Sequence, residues 1–205
     1  MTQQRPLRFG ILGAGMIAGD EDGFLPNLTT LGNKVEVTTV ADVVPEHAQR
    51  IARRFGIGTV YESLDEMLRD DRVEAVANLT PISVHAETSM RILRSGRHLL
   101  SEKPLATTLE EADALIEEAE RQDVVFVCAP PDTLYAQYRE ARRLIDEDRI
   151  GQVCFARVRS SHGGPGGAPD GWPFDPTWFY QPGGGPLFDM GVYGIHEITS
   201  LLGPA

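Results

Sequence analysis

Leu7-Arg8-Phe9-Gly10-Ile11-Leu12-Gly13-Ala14-Gly15-Met16-Ile17-Ala18 is the stretch on which the fold turns. Its first half is nearly continuous apolar sequence, as expected of a strand buried on both faces of a parallel sheet. Its second half fits G-x-G-x-x-A, the phosphate-binding turn of dinucleotide-binding folds. In that turn Gly13 makes the tight bend, Gly15 lets a pyrophosphate approach the backbone, and the small Ala18 allows close packing of helix on strand. The helix opened there offers free N–H groups to the phosphates. The pattern is weak alone and stronger here, because it follows a strand and precedes a helix.

Working outward, β-type runs at 7–12, 35–41, 59–61, 75–79, 98–101 and 124–128 alternate with amphipathic segments. Ser63 to Glu66 and Thr108 to Glu111 fit the capping box, Pro45 suits a first helical position, and Gly96 suits a helix end. Strands alternating with helices predict an α/β fold, a doubly wound parallel Rossmann sheet over residues 1–128. Asp42 closes the second strand, where a carboxylate accepts hydrogen bonds from ribose hydroxyls and repels a 2′-phosphate, favouring NAD over NADP. The alternative for Asp42 is a turn-starting residue before Pro45. Its distance from the glycines is longer than usual, and Asp20-Glu21-Asp22-Gly23 reads as an acidic insertion forming a solvated helix face.

Composition narrows the function classes. The 205 residues carry Lys+Arg 19 against Asp+Glu 30, a net charge of −11, without the basic stripe that nucleic acid or a membrane surface would require. No apolar run approaches the roughly 18 residues of a bilayer span. The amino terminus lacks a secretory pattern, and Cys128 and Cys154 make neither a metal-ligand nor a disulfide framework. A cytoplasmic location is the expectation. His47, His98 and His162 have no ligand-like spacing, so no metal site is expected.

Beyond Cys128 the character changes, and residues 129–205 read as the start of an incomplete α+β substrate domain. Ala129-Pro130-Pro131 suggests a hinge, residues 132–147 a helix, and 152–161 a strand marked by Val153, Phe155 and Val158. Residues 162–186 are rich in Gly and Pro yet carry Trp172, Trp178, Phe179 and Tyr180, a composition that suits a site-lining loop better than a linker. A helix is expected over 187–202. Arg157 and Arg159 share a strand face, which a solvated surface explains more simply than an anionic ligand.

Three further stretches carry a family resemblance. They are Thr80-Pro81-Ile82-Ser83-Val84-His85, then Glu102-Lys103-Pro104-Leu105-Ala106, and Gly183 through Tyr193 (GGGPLFDMGVY). Together with the phosphate turn they resemble the glucose–fructose oxidoreductase / inositol dehydrogenase / rhizopine catabolism (Gfo/Idh/MocA) family, NAD(P)-dependent oxidoreductases acting mostly on sugars, cyclitols and related polyols. The resemblance implies that Gly13, Gly15, Met16 and Ile17 hold the pyrophosphate and Asp42 the ribose. It implies that Asn78, Thr80, Pro81 and His85 lie beside the nicotinamide half, with Glu102 and Lys103 at the next strand end. Lys103 would reach the reacting hydroxyl or carbonyl, and Pro104 stands where the family often has a cis peptide.

Asp189 belongs to a D-x-G-x-H pattern whose aspartate and histidine contact substrate, but the histidine position here is Tyr193. The dihydrodiol dehydrogenase branch looks similar at this point, with tyrosine as the acid/base. On a helix Asp189, Tyr193 and His196 fall at i, i+4 and i+7, on one face. Phenols titrate near ~10 and lysines near ~10.4, too high alone for exchange at neutral pH; a nearby ammonium lowers a phenol, and burial or a neighbouring cation lowers a lysine. The resemblance therefore implies a sugar, cyclitol or diol oxidoreductase using Lys103, Tyr193 and Asp189, with His196 either catalytic or an ordinary helix histidine. It also implies a longer parent protein that forms a homo-oligomer. The alternative is a non-catalytic nucleotide-binding fragment.

Overall fold

Strand β1 (Leu7–Leu12) lies at the centre of a six-stranded parallel sheet in the computed structural model, which describes residues 5–20, 23–164 and 176–204. On one side follow β2 (Val35–Ala41) and β3 (Thr59–Tyr61). On the other come β4 (Ala75–Asn78), β5 (His98–Ser101) and β6 (Phe126–Cys128). The order β3-β2-β1-β4-β5-β6 reverses direction between β1 and β4, which opens a crevice at the carboxyl ends of the strands. Register brings those ends level. Tyr61 pairs with Ala41, Ala41 with Leu12, Leu12 with Asn78, Asn78 with Ser101, and Ser101 with Cys128. Gly13, Asp42, Leu79 and Glu102 therefore leave the sheet side by side.

The strands are apolar on both faces because both faces are covered. Ile11, fully buried, packs with Ala18, Val40, Ala48 and Ile51, while the next residue, Leu12, packs with Met67, Val76, Ile92 and Leu115. The first face is closed by α1 (Met16–Gly19), α2 (Phe24–Leu28) and α3 (Pro45–Phe55). The second is closed by α4 (Leu64–Leu68), α5 (His85–Arg94) and α6 (Leu109–Arg121). Local chemistry sets the helix ends. Pro45 opens α3 and Gly56, at φ +69°, ends it. Gly96 follows α5 at φ +73°.

Ser63 Oγ accepts the Glu66 N–H at 3.2 Å and Thr108 Oγ1 the Glu111 N–H at 3.2 Å. The returning carboxylates reach one residue further back than a capping box requires, to the N–H groups of Glu62 and Thr107. The helix expected after the phosphate turn is a single turn. It ends at Gly19, with Asp20 extended (φ −68°, ψ 169°), so Asp20 is exposed as expected but terminates the helix and lies on no helix face. Gly19 is required there, since a Cβ would meet Ile51 Cδ1 at 2.5 Å. Glu21 and Asp22 lie outside the described residues.

The chain divides into two units, Met1–Cys128 and Ala129–Ala205. The second contains α7 (Ala136–Asp146), preceded by a 3₁₀ turn at Asp132–Leu134, and α8 (Val192–Leu202). The Tyr138 hydroxyl donates to the Glu197 carbonyl, and Arg142 Nη1 donates to the Ser200 carbonyl at 2.6 Å, capping the end of α8. The strand expected at 152–161 does not form. The segment belongs to no ladder among the described residues, and Phe155, one of its markers, is 80% exposed. Alternation supplies a face, but a strand needs a neighbour to accept and donate its backbone hydrogen bonds. Of the aromatic loop, residues 165–175 with Trp172 lie outside the described residues. No helix among the described residues is long and apolar enough to cross a membrane.

Candidate active site

Three loops leave the level strand ends of the first unit. After β1, Gly13 takes φ +94°, and a Cβ on it would lie 2.7 Å from the Leu79 carbonyl oxygen, so this residue alone lets the first and fourth strand ends approach. A Cβ on Gly15 would meet nothing within 4 Å, so open space stands over the loop where a pyrophosphate would sit. Met16 and Ile17 beside it are 38% and 50% exposed, large apolar groups held at the surface. Ala18 is fully buried. This cradle fits a dinucleotide, and Gly13, Gly15, Met16 and Ile17 are the residues that would hold its phosphates.

Asp42, at the end of β2, fixes the cradle from the side. Its Oδ2 accepts the Ala14 N–H at 2.7 Å, and its Oδ1 accepts the Val44 N–H at 2.8 Å. His47 Nδ1 stands 3.9 Å from the same carboxylate. Arg50, unnoticed in the sequence, donates to the Ala14 carbonyl at 3.2 Å. Each carboxylate oxygen can accept more than one hydrogen bond, so these bonds leave Asp42 able to receive ribose hydroxyls.

The loops after β4 and β5 are joined by a buried polar network centred on Asn78. Its amide donates to Thr88 Oγ1 at 2.8 Å and Ser89 Oγ at 3.0 Å, and its Oδ1 accepts the Thr80 hydroxyl at 2.7 Å. The Asn78 carbonyl accepts the Glu102 N–H at 3.1 Å. Asn78 is fully buried, so it shapes the Thr80-Pro81 loop from beneath. His85 does the same for the next loop. Only 2% exposed, it donates from Nδ1 to the Pro104 carbonyl at 3.1 Å, while its Nε2 has no hydrogen-bond partner among the described residues. Burial holds its pKa below the ordinary imidazole range, against the pull of the Pro104 and Thr80 carbonyls, so the ring is neutral and donates from one nitrogen.

The Lys103–Pro104 peptide is cis. Glu102 Oε2 accepts the Lys103 N–H at 3.1 Å, and Lys103 is partly buried at the mouth of this loop. Cys128 packs beneath, its thiol donating to the Glu102 carbonyl at 3.6 Å and pushed up to about 12 by burial, which makes it an inert core thiol. Thr88 and Ser89 were missed in the sequence. The available signal was a polar pair continuing the buried stripe His85, Ser89, Ile92 of α5.

In the second unit, Leu187–Gly191 forms a π-helical turn leading into α8. Asp189 sits in this wider turn, its N–H donating to the Gly185 carbonyl at 3.0 Å. The 3.6-residue spacing therefore relates only Tyr193 and His196, and Asp189 is placed by the π turn instead of by the α-helical face expected of all three. A Cβ on Gly191 would meet Leu187 Cδ1 at 2.8 Å, which shows how tightly the turn closes. Tyr193 and His196 are both partly buried on α8.

The aromatic loop contributes a 3₁₀ turn, Thr177–Tyr180, in which Phe179 meets Trp178 and Tyr180 edge-on at 5.7 and 5.5 Å. Asp189 has a partner that spacing gave no reason to expect. His162 Nε2 lies 2.6 Å from its Oδ2.

Comparison with known proteins accounts for this arrangement. Residues 7–130 match the oxidoreductase family with an NAD-binding Rossmann fold, and residues 138–205 match the GFO/IDH/MocA C-terminal domain. Among curated relatives, a dTDP-3,4-didehydro-2,6-dideoxy-alpha-D-glucose 3-reductase from Actinomadura kijaniata is 33% identical over 97% of this chain and 57% of its own. A trans-1,2-dihydrobenzene-1,2-diol dehydrogenase from Danio rerio is 32% identical over 94% and 55%. A mutant of a 3-ketoreductase from Actinomadura kijaniata, solved with TDP-benzene and NADP, superposes with TM-score 0.77 at 30% identity over 97% of this chain and 57% of that one. A protein from gentamicin A biosynthesis, solved with NAD, gives TM-score 0.80 at 25% identity over 98% and 55%. The chain spans about half the length of the relatives it matches. By sequence in both units and by fold, the chain belongs to the Gfo/Idh/MocA oxidoreductase family.

Proposed function

We propose that this protein transfers a hydride between a nicotinamide cofactor and the CH–OH group of a sugar, cyclitol or diol. The observation that carries the reading is the meeting, at the switch point of the sheet, of the Gly13–Gly15 cradle, the Asn78–Thr80 loop and the Glu102–Lys103 loop. The bound cofactor supplies the redox chemistry, and the protein supplies position and a route for the hydroxyl proton. Gly13, Gly15, Met16 and Ile17 hold the pyrophosphate, and Asp42 receives the ribose hydroxyls and so favours NAD over NADP. Thr80 and Pro81 border the nicotinamide from a loop that Asn78 and His85 hold from beneath, with Glu102 at the next strand end. Lys103 and Tyr193 handle the proton, and Asp189 orients the substrate. His196 stands one helical turn from Tyr193 on α8.

The relatives' names support a small polyhydroxylated substrate, since they include a deoxysugar reductase, a diol dehydrogenase and a scyllo-inositol dehydrogenase. A homo-oligomer is part of the same proposal for the full-length protein. The test is a fluorescence titration with NADH and NADPH, followed by a turnover screen over polyols. Saturable binding that prefers NADH, and a Lys103→Met variant that still binds but turns over at least ~100-fold more slowly, is the expected result. A preference for NADPH would overturn the role of Asp42, and undiminished turnover in Lys103→Met would overturn the catalytic assignment.

A further inference from the structure

The contact between His162 and Asp189 is more than proximity. Gly164 donates its backbone N–H to His162 Nδ1 at 2.8 Å, so that nitrogen carries a lone pair and the ring proton sits on Nε2. From there it points at Asp189 Oδ2, 2.6 Å away, a hydrogen bond to a carboxylate at charge-assisted length. The tautomer is thus set by the backbone on one side and used on the other, an arrangement that also orients imidazoles in catalytic and metal sites. The side chains are 35% and 14% exposed, so water competes little at the carboxylate. Phe179 stands tilted against the His162 ring, centroids 6.5 Å apart, and fixes it from a third direction. The geometry points to His162 as the positioning residue of Asp189: its Nε2–H fixes the carboxylate in rotation, so that Asp189 meets substrate in one orientation.

This inference rests on the proposed role of Asp189 in substrate binding, and its test separates the two. Imidazole nitrogen NMR on the full chain reads the pair directly, without cofactor or substrate. The expected spectrum shows His162 as a single Nε2–H tautomer whose ring proton is shifted downfield by the carboxylate. The signal is assigned by its loss in His162→Gln and moves back in Asp189→Asn. An Nδ1–H tautomer, a mixture of tautomers, or a signal indifferent to Asp189→Asn would overturn the inference.

Kinetics then reads the consequence. His162→Ala is expected to lower kcat/KM for an accepted polyol roughly ten- to hundred-fold, the worth of one hydrogen bond to a charged group. His162→Gln, whose amide can donate in place of Nε2, is expected to recover most of that loss. In an Asp189→Asn background His162→Ala should cost little more. Wild-type kinetics in His162→Ala, or losses that add in full, would overturn the positioning role. If the unaltered chain turns over no polyol, the proposed activity falls, and the spectrum still decides whether the pair exists.

Discussion

At the scale of single residues, chemistry in this protein is carried from beneath as much as from the surface. Asn78 and His85 are named by the family resemblance as neighbours of the nicotinamide, yet both are buried, and each spends its hydrogen bonds on the loop that faces the crevice. Sequence could mark their positions but not their direction, because a polar residue at a strand end or on a buried helix face reads the same whether it points at ligand or at backbone. Their energetic role is testable. His85→Ala removes the donor to the buried Pro104 carbonyl and opens a cavity beside it, and should cost ~2–4 kcal/mol in urea unfolding. The pH dependence has a definite sign. With its folded pKa below the ordinary imidazole value of 6.5, His85 resists protonation that the unfolded chain accepts, so stability is full above about 6.5 and declines as pH falls below it. His85→Gln should remove that decline while leaving acid effects from the carboxylates. An unchanged slope between neutral and mildly acidic pH would show that His85 is not buried neutral.

Elements are joined by a second set of polar contacts, at the turn between α4 and β4. Asp70 accepts from Arg72 at 2.8 Å and from the Tyr61 hydroxyl at 3.1 Å, tying the end of β3 to the approach to β4. The Arg72 guanidinium holds the Asp70 carboxyl at about 2, down from 3.8, and Arg5 with Arg8 holds Glu74 at about 2, down from 4.5. A depressed carboxyl stabilises the fold above its unfolded pKa and loses that contribution as pH falls through the folded value. Acid unfolding should therefore steepen between pH 4.5 and about 2, and Asp70→Asn with Glu74→Gln should flatten it. Denaturant midpoints followed through that window check this, and an undiminished slope in the double variant would refute it. Arg5 and Arg72 are largely exposed, so the effect should weaken with added salt. Element boundaries were legible where a local signal marks them, as at Pro45, Ser63, Gly96 and Thr108. They were illegible where the determinant is a partner strand, as at 152–161, or a change of helical pitch, as at Leu187–Gly191.

For the whole molecule, what sequence conveys depends on where the apolar surface goes. Among the described residues the buried aliphatic core lies between Ile11 and Ala119, in the first unit, where continuous apolar strands and amphipathic helices dictate the two faces almost unaided. There the strand set and the glycine-rich turn after β1 were readable. In the second unit Phe155, Leu187 and Ile195 are 80%, 62% and 56% exposed, so hydrophobic pattern has no interior to report on. His162 could be set aside on spacing because its partner is 27 residues away, beyond a loop whose path no periodicity encodes. This contrast predicts unequal stability. Amides of β1, β4 and β5 are hydrogen-bonded on both sides of a closed core and should exchange only on opening of the whole first unit. Amides across 153–159 have no ladder partner among the described residues, so they should exchange close to the unstructured rate. Hydrogen exchange read by mass spectrometry on the full chain distinguishes these regions in one experiment. Slow exchange across 153–159, matching that of β1, would mean the segment is paired in solution and would overturn the unpaired assignment.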